Sequence, residues 1–175
     1  MGKAECLIRA LKPPVIIPLD RDGIYGHYDR IAVHRWTTIA VRLAADADCF
    51  PHHVRGSCVP HQVSKVYYCL LSQRTVDAMT EDHEPAALMM DEIPFYMVGR
   101  SDDEITTVID VKEYVMQKLE GIQSHPTQVG DQNPFADARE YVLRDPGFCR
   151  EHFPLAHSTV GWSEETEGDL FTGLR

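Results

Sequence analysis

The sequence predicts an α/β fold, a mostly parallel sheet flanked by helices. A helical stripe runs straight into an apolar strand near the start, a second apolar and aromatic run lies mid-chain, and helical periodicity alternates with such strands thereafter. In order along the chain, Leu7, Ile8 and Leu11 share one stripe of a helix over 4–11, which Pro13 and Pro14 stop. Val15, Ile16 and Ile17 then form a short, fully apolar strand. Residues 20–28 (DRDGIYGHY) are turn-rich. Asp29 is placed to cap a helix that runs to Ala47 through Ile31, Trp36, Ile39, Ala40 and Leu43. Pro51, Gly56 and Pro60 make 49–62 a loop. VSKVYYCLL (63–71) reads as a central strand on which Tyr67 and Tyr68 point to opposite faces, so at most one of them lines a cleft. Residues 72–80 form a short helix or turn, and 81–94 an acidic, proline-bounded connection. A short strand at 105–109 precedes a helix over 111–122 with Val115 and Leu119 inward. A loop at 124–134, a last helix over 134–143 and an edge strand at 151–157 follow. The tail, with Glu164, Glu165, Glu167 and Asp169, faces solvent except where Leu170 and Phe171 dock.

A length of 175 residues corresponds to one domain at about 150 residues per domain. With 43% hydrophobic and 25% charged residues the chain is globular rather than disordered. Seventeen basic against 27 acidic residues give a formal charge of −10, which argues against nucleic acid and anionic membrane surfaces as partners. No run approaches the roughly 18 apolar residues of a membrane span, and the opening residues lack the apolar stretch of a secretory signal. Five scattered cysteines with no CxxC point to reduced thiols in a cytoplasmic protein.

The chemistry concentrates in residues 20–30. This segment follows the carboxyl end of a strand and opens a helix, where open α/β sheets place their ligands. Gly23 and Gly26 permit tight turns, while Tyr25, His27 and Asp29 alternate toward one cleft. A phenol, an imidazole and a carboxylate together can polarise a carbonyl, move a proton and hold a tautomer. A plain turn with a helix cap and surface polar residues is the competing reading.

The stretch GIYGHYDRIAVHRWTTIAV (23–41) resembles the second motif of the LmbE-like / PIG-L deacetylases, roughly YGHPDHIAVHRATT. LIRALKPPVII is similar to that family's helix and strand, KVYYCLL to its KLYY strand and KLEGIQSHPTQVG to its H-x-TQ segment. The closing DLFTGLR resembles a C-terminus common in actinobacterial members. The order is kept from end to end. The resemblance implies a Rossmann-like fold and zinc-dependent removal of an acyl group from a small amino-sugar conjugate. By position it implies that Tyr25 and His27 stabilise the tetrahedral intermediate and that Asp29 orients the site. His125 and Gln128 would lie at the cleft edge as substrate contacts.

Two departures set further expectations. The family's opening AHPDDE, which supplies two zinc ligands and the general base, does not occur, and the last His of its HPDH stands here as Arg30, which has no lone pair to give. The metal ligands of the family are therefore absent, and the chain is expected to bind no zinc and to be inactive alone. Residues 1–175 are expected to be N-terminally truncated, roughly the C-terminal two-thirds of a single domain. A non-catalytic sugar-binding or partner module, or the remnant of a disrupted gene, are the alternatives. Loss of a first strand would expose a sheet edge through which the chain could oligomerise. His52, His53, Cys58 and His61 match no compact zinc spacing and read as a surface loop, His34 as an ordinary helix residue, and Lys118 as a solvated cation.

Overall fold

The computed structural model describes residues 2–54, 58–78, 87–90, 92–125 and 147–175. The helix expected over 134–143 lies outside them, as does Gln128. Helix α1 (Gly2–Leu11) leads through Pro13 and Pro14 into β1 (Val15–Ile16), and the loop 17–27 leads into the long helix α2 (Tyr28–Ala45). After a 3-10 turn at Pro51–His53 come β2 (Lys65–Tyr67), β3 (Leu71–Ser72) and α3 (Gln73–Ala78). Then follow β4 (Ala87–Met90), β5 (Ile93–Tyr96), β6 (Gly99–Arg100), β7 (Thr107–Asp110), α4 (Val115–Gln123), β8 (Arg150–Phe153) and β9 (Leu155–Ser158).

The central sheet has the order β1-β2-β9. β1 runs parallel to β2, with Val15 opposite Lys65 and Ile16 opposite Val66, and β9 closes on β2 antiparallel. β3 pairs parallel with β6, whereas β4–β5 and β7–β8 are antiparallel. The α/β class of Rossmann-like kind stands. Among the named strands the parallel pairing is carried by β1–β2 and β3–β6, so the sheet system is mixed.

Alternation along β2 divides the core. Val66 faces α1 and α2, packing with Ile8, Ala40, Val41, Ala44 and Val63, while Tyr67 faces the opposite side with Phe153 and Leu155. α2 thus buries a stripe of small residues. Trp36 and Ile39, expected along its inner face, are 53% and 41% exposed. Ala40 and Ala44 take the inner face instead, and Arg9 of α1 lies fully buried against the end of α2. Its Nε donates to Ala44 O at 3.1 Å and its Nη2 to Leu43 O, Asp46 O and Cys49 O at 3.0, 2.6 and 2.9 Å. The carbonyls at the end of a helix have no intrahelical donor, and one guanidinium supplies several. Buried Glu5, one turn earlier, balances the charge at 2.5 Å and accepts from His53 Nδ1 at 2.6 Å.

Other elements differ from expectation for local reasons. The run 63–71 divides because the bulge between Val66 and Tyr67 shifts its register, after which Cys69 exchanges backbone bonds with Pro18 and Asp20. Residues 151–157 form two strands, split at Pro154, whose nitrogen cannot join a ladder. The connection 81–94 contains most of the β4–β5 hairpin, which continues to Tyr96. The acidic tail is not wholly solvated: Glu167 lies buried on Lys65 Nζ at 2.9 Å and accepts from Tyr67 OH at 2.9 Å. Lys118 is half-buried, paired with Glu151 at 2.9 Å. Among the described residues no helix is long and apolar enough to cross a membrane.

Candidate ligand loop at the carboxyl end of the parallel pair

The loop between β1 and α2 is anchored at both ends. Asp20 N–H donates to Cys69 O at 3.1 Å, and the Asp20 carboxylate, almost fully buried, accepts from Ile24 N–H at 3.1 Å. Arg100, arriving on β6, donates to Asp20 Oδ2 through Nε at 3.0 Å and Nη2 at 2.9 Å, and also reaches Asp22. Gly23 is left-handed at φ 60°, and a Cβ there would stand 2.6 Å from Arg30 Cβ. Ile24 is left-handed as well, at φ 74°. A β-branched residue in that region costs of order 1–3 kcal/mol and persists only where its surroundings enforce it. Here the enforcing groups are the Asp20 carboxylate and a 2.7 Å bond from Val98 N–H to Ile24 O.

This strain delivers Tyr25 and His27 together. Tyr25 is buried, the Arg30 guanidinium lies 4.4 Å from its ring centre, and the His27 ring stands edge-on at 6.4 Å. His27, not Asp29, caps α2: His27 Nδ1 accepts from Asp29 N–H at 3.3 Å. Asp29 sits in the exposed first turn, where its carboxylate favours the helix dipole. Because Nδ1 accepts, the proton of a neutral His27 resides on Nε2, for which no hydrogen bond is found among the described residues. Phe95 of the hairpin completes the cluster, 5.4 Å from the His27 ring. Sequence reasoning missed Arg100, Asp20 as its partner, and Phe95. The DRD run carried a signal for an arginine clamp, but its partner lies 80 positions away.

His125 lies exposed just beyond α4, its N–H on Ile122 O, and no contact among the described residues joins it to Tyr25 or His27. His34 Nδ1 donates to Leu19 O at 2.9 Å, and its ring packs on Tyr68. His61 binds Pro13 O and His53 binds Glu5, so these imidazoles serve separate structural bonds. Tyr68 lines a cavity of about 330 Å³ between α2 and β9, together with Thr38, Arg42, Gln62 and His157 but no loop residue.

The described residues of the loop do not offer a zinc ion a ligand set. The loop carboxylates are neutralised by Arg100, His27 Nδ1 is occupied by its cap, and Arg30 brings a permanent cation. Among the described residues, no three His, Cys, Asp or Glu side chains converge on a point that could hold a metal.

These features define the class: an α/β protein with a strained polar loop between the carboxyl end of a parallel strand and the following helix. The chain is 34% identical over 177 residues to 1D-myo-inositol 2-acetamido-2-deoxy-α-D-glucopyranoside deacetylase of Streptomyces griseus, covering 96% of this chain and 52% of that one. The similarly named proteins of Thermomonospora curvata and Kineococcus radiotolerans are 34% and 32% identical, again over 96% of this chain, with 57% and 48% of their own lengths covered. The chain belongs to the LmbE-like / PIG-L deacetylase family and spans about half the length of the curated relatives it matches. No family model matches it.

Proposed function

We propose that this chain serves the N-deacylation of a small amino-sugar conjugate, and that its 175 residues contribute the sugar-binding, oxyanion-facing part of the site. The observation that carries the reading is the anchored loop, in which Ile24 is held left-handed and the Tyr25 and His27 rings stand 6.4 Å apart between centres. The relatives' printed substrate, an acetamidoglucosyl inositol, supports the chemical class. Tyr25 and His27 donate hydrogen bonds to the amide oxygen as it becomes an oxyanion, Asp29 holds His27 in place through its N–H, and His125 and Gln128 contact substrate at the rim. Zinc, the family's cofactor, is not held by these residues alone, and the amide is not hydrolysed by them alone. A cytoplasmic setting agrees with five scattered cysteines and no CxxC.

The test is direct. The acetamidoglucosyl inositol is titrated into the purified protein, with zinc measured after dialysis and released amine assayed. Binding that falls about tenfold in His27→Ala, without stoichiometric zinc or amine release, is the expected result, since a lost hydrogen bond to the bound amide oxygen is worth about that much. Near-stoichiometric zinc with turnover overturns the claim of inactivity, and absence of binding overturns the sugar-site reading.

A second reading is favoured by one observation: β1 pairs with β2 alone, leaving its outer edge without a strand among the described residues. Such an edge is a template for another chain. A partner or oligomer would add its strand there, and light scattering that finds only monomers counts against it.

A further inference from the structure

We propose that the cavity between α2 and β9 binds a small monocarboxylate with an apolar body, its carboxylate held by Arg42. The cavity measures about 330 Å³ and stands apart from the loop of Tyr25 and His27. Arg42 lies in the last turn of α2, whereas the loop meets the first residue, Tyr28. At about 1.5 Å of rise per residue, about 20 Å of helix separates the two places.

The cavity follows from side-chain size and from the bulge in the sheet. Thr38, Val41, Arg42 and Ala45 share one flank of α2, at the spacing of residues three and four apart. The bulge between Val66 and Tyr67 brings two successive residues of β9, Ala156 and His157, to the opposite wall. Val41 and Val66 form a floor, 6% and 4% exposed, and the two alanines are too small to fill the gap above it.

Polar groups gather around that floor. Arg42 is exposed at the mouth and has no ion-pair or hydrogen-bond partner among the described residues. No Asp or Glu lines the cavity, although the chain carries a net charge of −10. Asp46, next along α2, is turned to other partners: its carboxylate accepts from Asp48 N–H at 2.9 Å and from the Cys49 thiol at 3.4 Å. The last carbonyls of α2, which would repel an anion, are taken up by Arg9. Thr38 Oγ1 and Tyr68 OH stand 3.4 Å apart; one of their two O–H groups serves that contact, and the other can donate into the cavity.

An apolar floor with a few convergent polar groups is the make-up of a small-molecule site, and the volume lies at the small end of that range. A carboxylate matches the guanidinium fork, and one permanent cation balances one negative charge. A phosphate dianion would leave a charge unbalanced and bring nothing to the valine floor. A cation would meet Arg42.

Phenylacetate, hexanoate and indole-3-propionate are titrated into the isotope-labelled protein and followed by NMR. Amide shifts centred on Thr38, Arg42, Tyr68 and His157, saturating at about 1 mM for at least one of the three, are expected of probes so small. Arg42→Met weakens that binding about fivefold, the worth of one hydrogen bond to a charged group at an open rim, and leaves the melting temperature unchanged. Ala45→Leu fills the gap and abolishes binding with Arg42 in place, which keeps the test decisive should Arg42→Met lose its cooperative melt. Phenethylamine, of similar shape and opposite charge, and inorganic phosphate at matched ionic strength give no saturable shifts there. Failure of all three carboxylates to bind overturns the proposal. So does equal binding of phenethylamine, which marks a plain apolar crevice, or of phosphate, which marks an unselective anion contact. Unchanged affinity in Arg42→Met overturns it as well, as do shifts centred on Tyr25 and His27, which would assign the carboxylates to the loop.

Discussion

Replacing Arg9 by Met isolates the device that joins α1 to the end of α2. The Arg9 guanidinium donates to carbonyl oxygens of Leu43, Ala44, Asp46, Cys49 and Phe50 and pairs with Glu5, with both side chains of the pair fully buried. Met fills much of the volume but leaves Glu5 as a buried charge without its cation, a loss of about 3–5 kcal/mol. The carbonyls lose their donors too, at about 1–3 kcal/mol for each that water cannot reach. A total of about 4 kcal/mol or more is expected, a large part of the roughly 5–15 kcal/mol that stabilises a typical domain. At about 2–4 °C per kcal/mol for a chain of this size, the melting temperature falls by roughly 8–16 °C. Thermal and urea melts followed by circular dichroism read this out. The double variant Glu5→Gln/Arg9→Met removes the stranded charge and recovers about half of the loss, because the carbonyls stay orphaned. A single-variant loss below about 1 kcal/mol would refute the reasoning, as would full recovery in the double variant.

Four further outcomes rest on the same geometry. Glu167→Gln strands the Lys65 ammonium, whose side chain is 1% exposed, with Tyr67 OH as its strongest remaining partner; a loss of about 3 kcal/mol by urea melt is expected, and Lys65→Met in that background restores most of it. Burial by itself lowers the Lys65 pKa, but hydrogen bonds to Tyr67 and Glu167 outweigh it and hold the group above 10.5, so its contribution persists through neutral pH and is lost only as pH rises through that elevated value. Burial, aided by the Glu151 charge, pushes the Cys69 thiol from 9.0 up to about 11, so stability falls as pH rises between these values, and Cys69→Ala flattens that limb. On the acid side, burial holds His152 below 6.5; the unfolded chain takes up the proton first, stability falls as pH drops below 6.5, and His152→Asn removes this slope. In the loop, Ile24→Gly relieves a φ of 74° and is expected to stabilise by about 1 kcal/mol, whereas Gly23→Ala, whose Cβ meets Arg30 Cβ at 2.6 Å, destabilises by about 1–3 kcal/mol; chemical melts of the two variants with the same sign would refute the assignment of strain.

Helices were the most legible elements. Val115 and Leu119 are buried in α4 as their spacing predicts, whereas of the α1 stripe only Ile8 is buried: Leu7 and Leu11 are 60% and 74% exposed, and the helix turns Glu5 and Arg9 inward instead. Which face of α2 turns inward was not legible, because large apolar residues occur on several sides. The choice fell to Ala40 and Ala44, whose small side chains let α1 and its Arg9 approach. The hairpin was hidden by its acidic, proline-bearing surroundings, although two-stranded ladders tolerate proline where no partner needs its N–H. Glycine spacing after a strand singles out Tyr25, His27 and Asp29; the cap falls to His27 rather than Asp29 because the helix begins at Tyr28.

The sequence by itself determined the α/β class, the position of the polar loop between β1 and α2, the arginine at position 30, and the family. Each is written in residues close along the chain, as period, turn chemistry or motif. Tertiary structure alone decided that Arg100 clamps Asp20, that Arg9 caps α2 from another helix, that Glu167 returns to bury itself on Lys65, and that Phe95 leans on Tyr25 and His27. These pairings span from 34 to 102 positions. A charge or a ring carries no record of its distant partner in its neighbours, and only the register of the strands that deliver it fixes whom it meets.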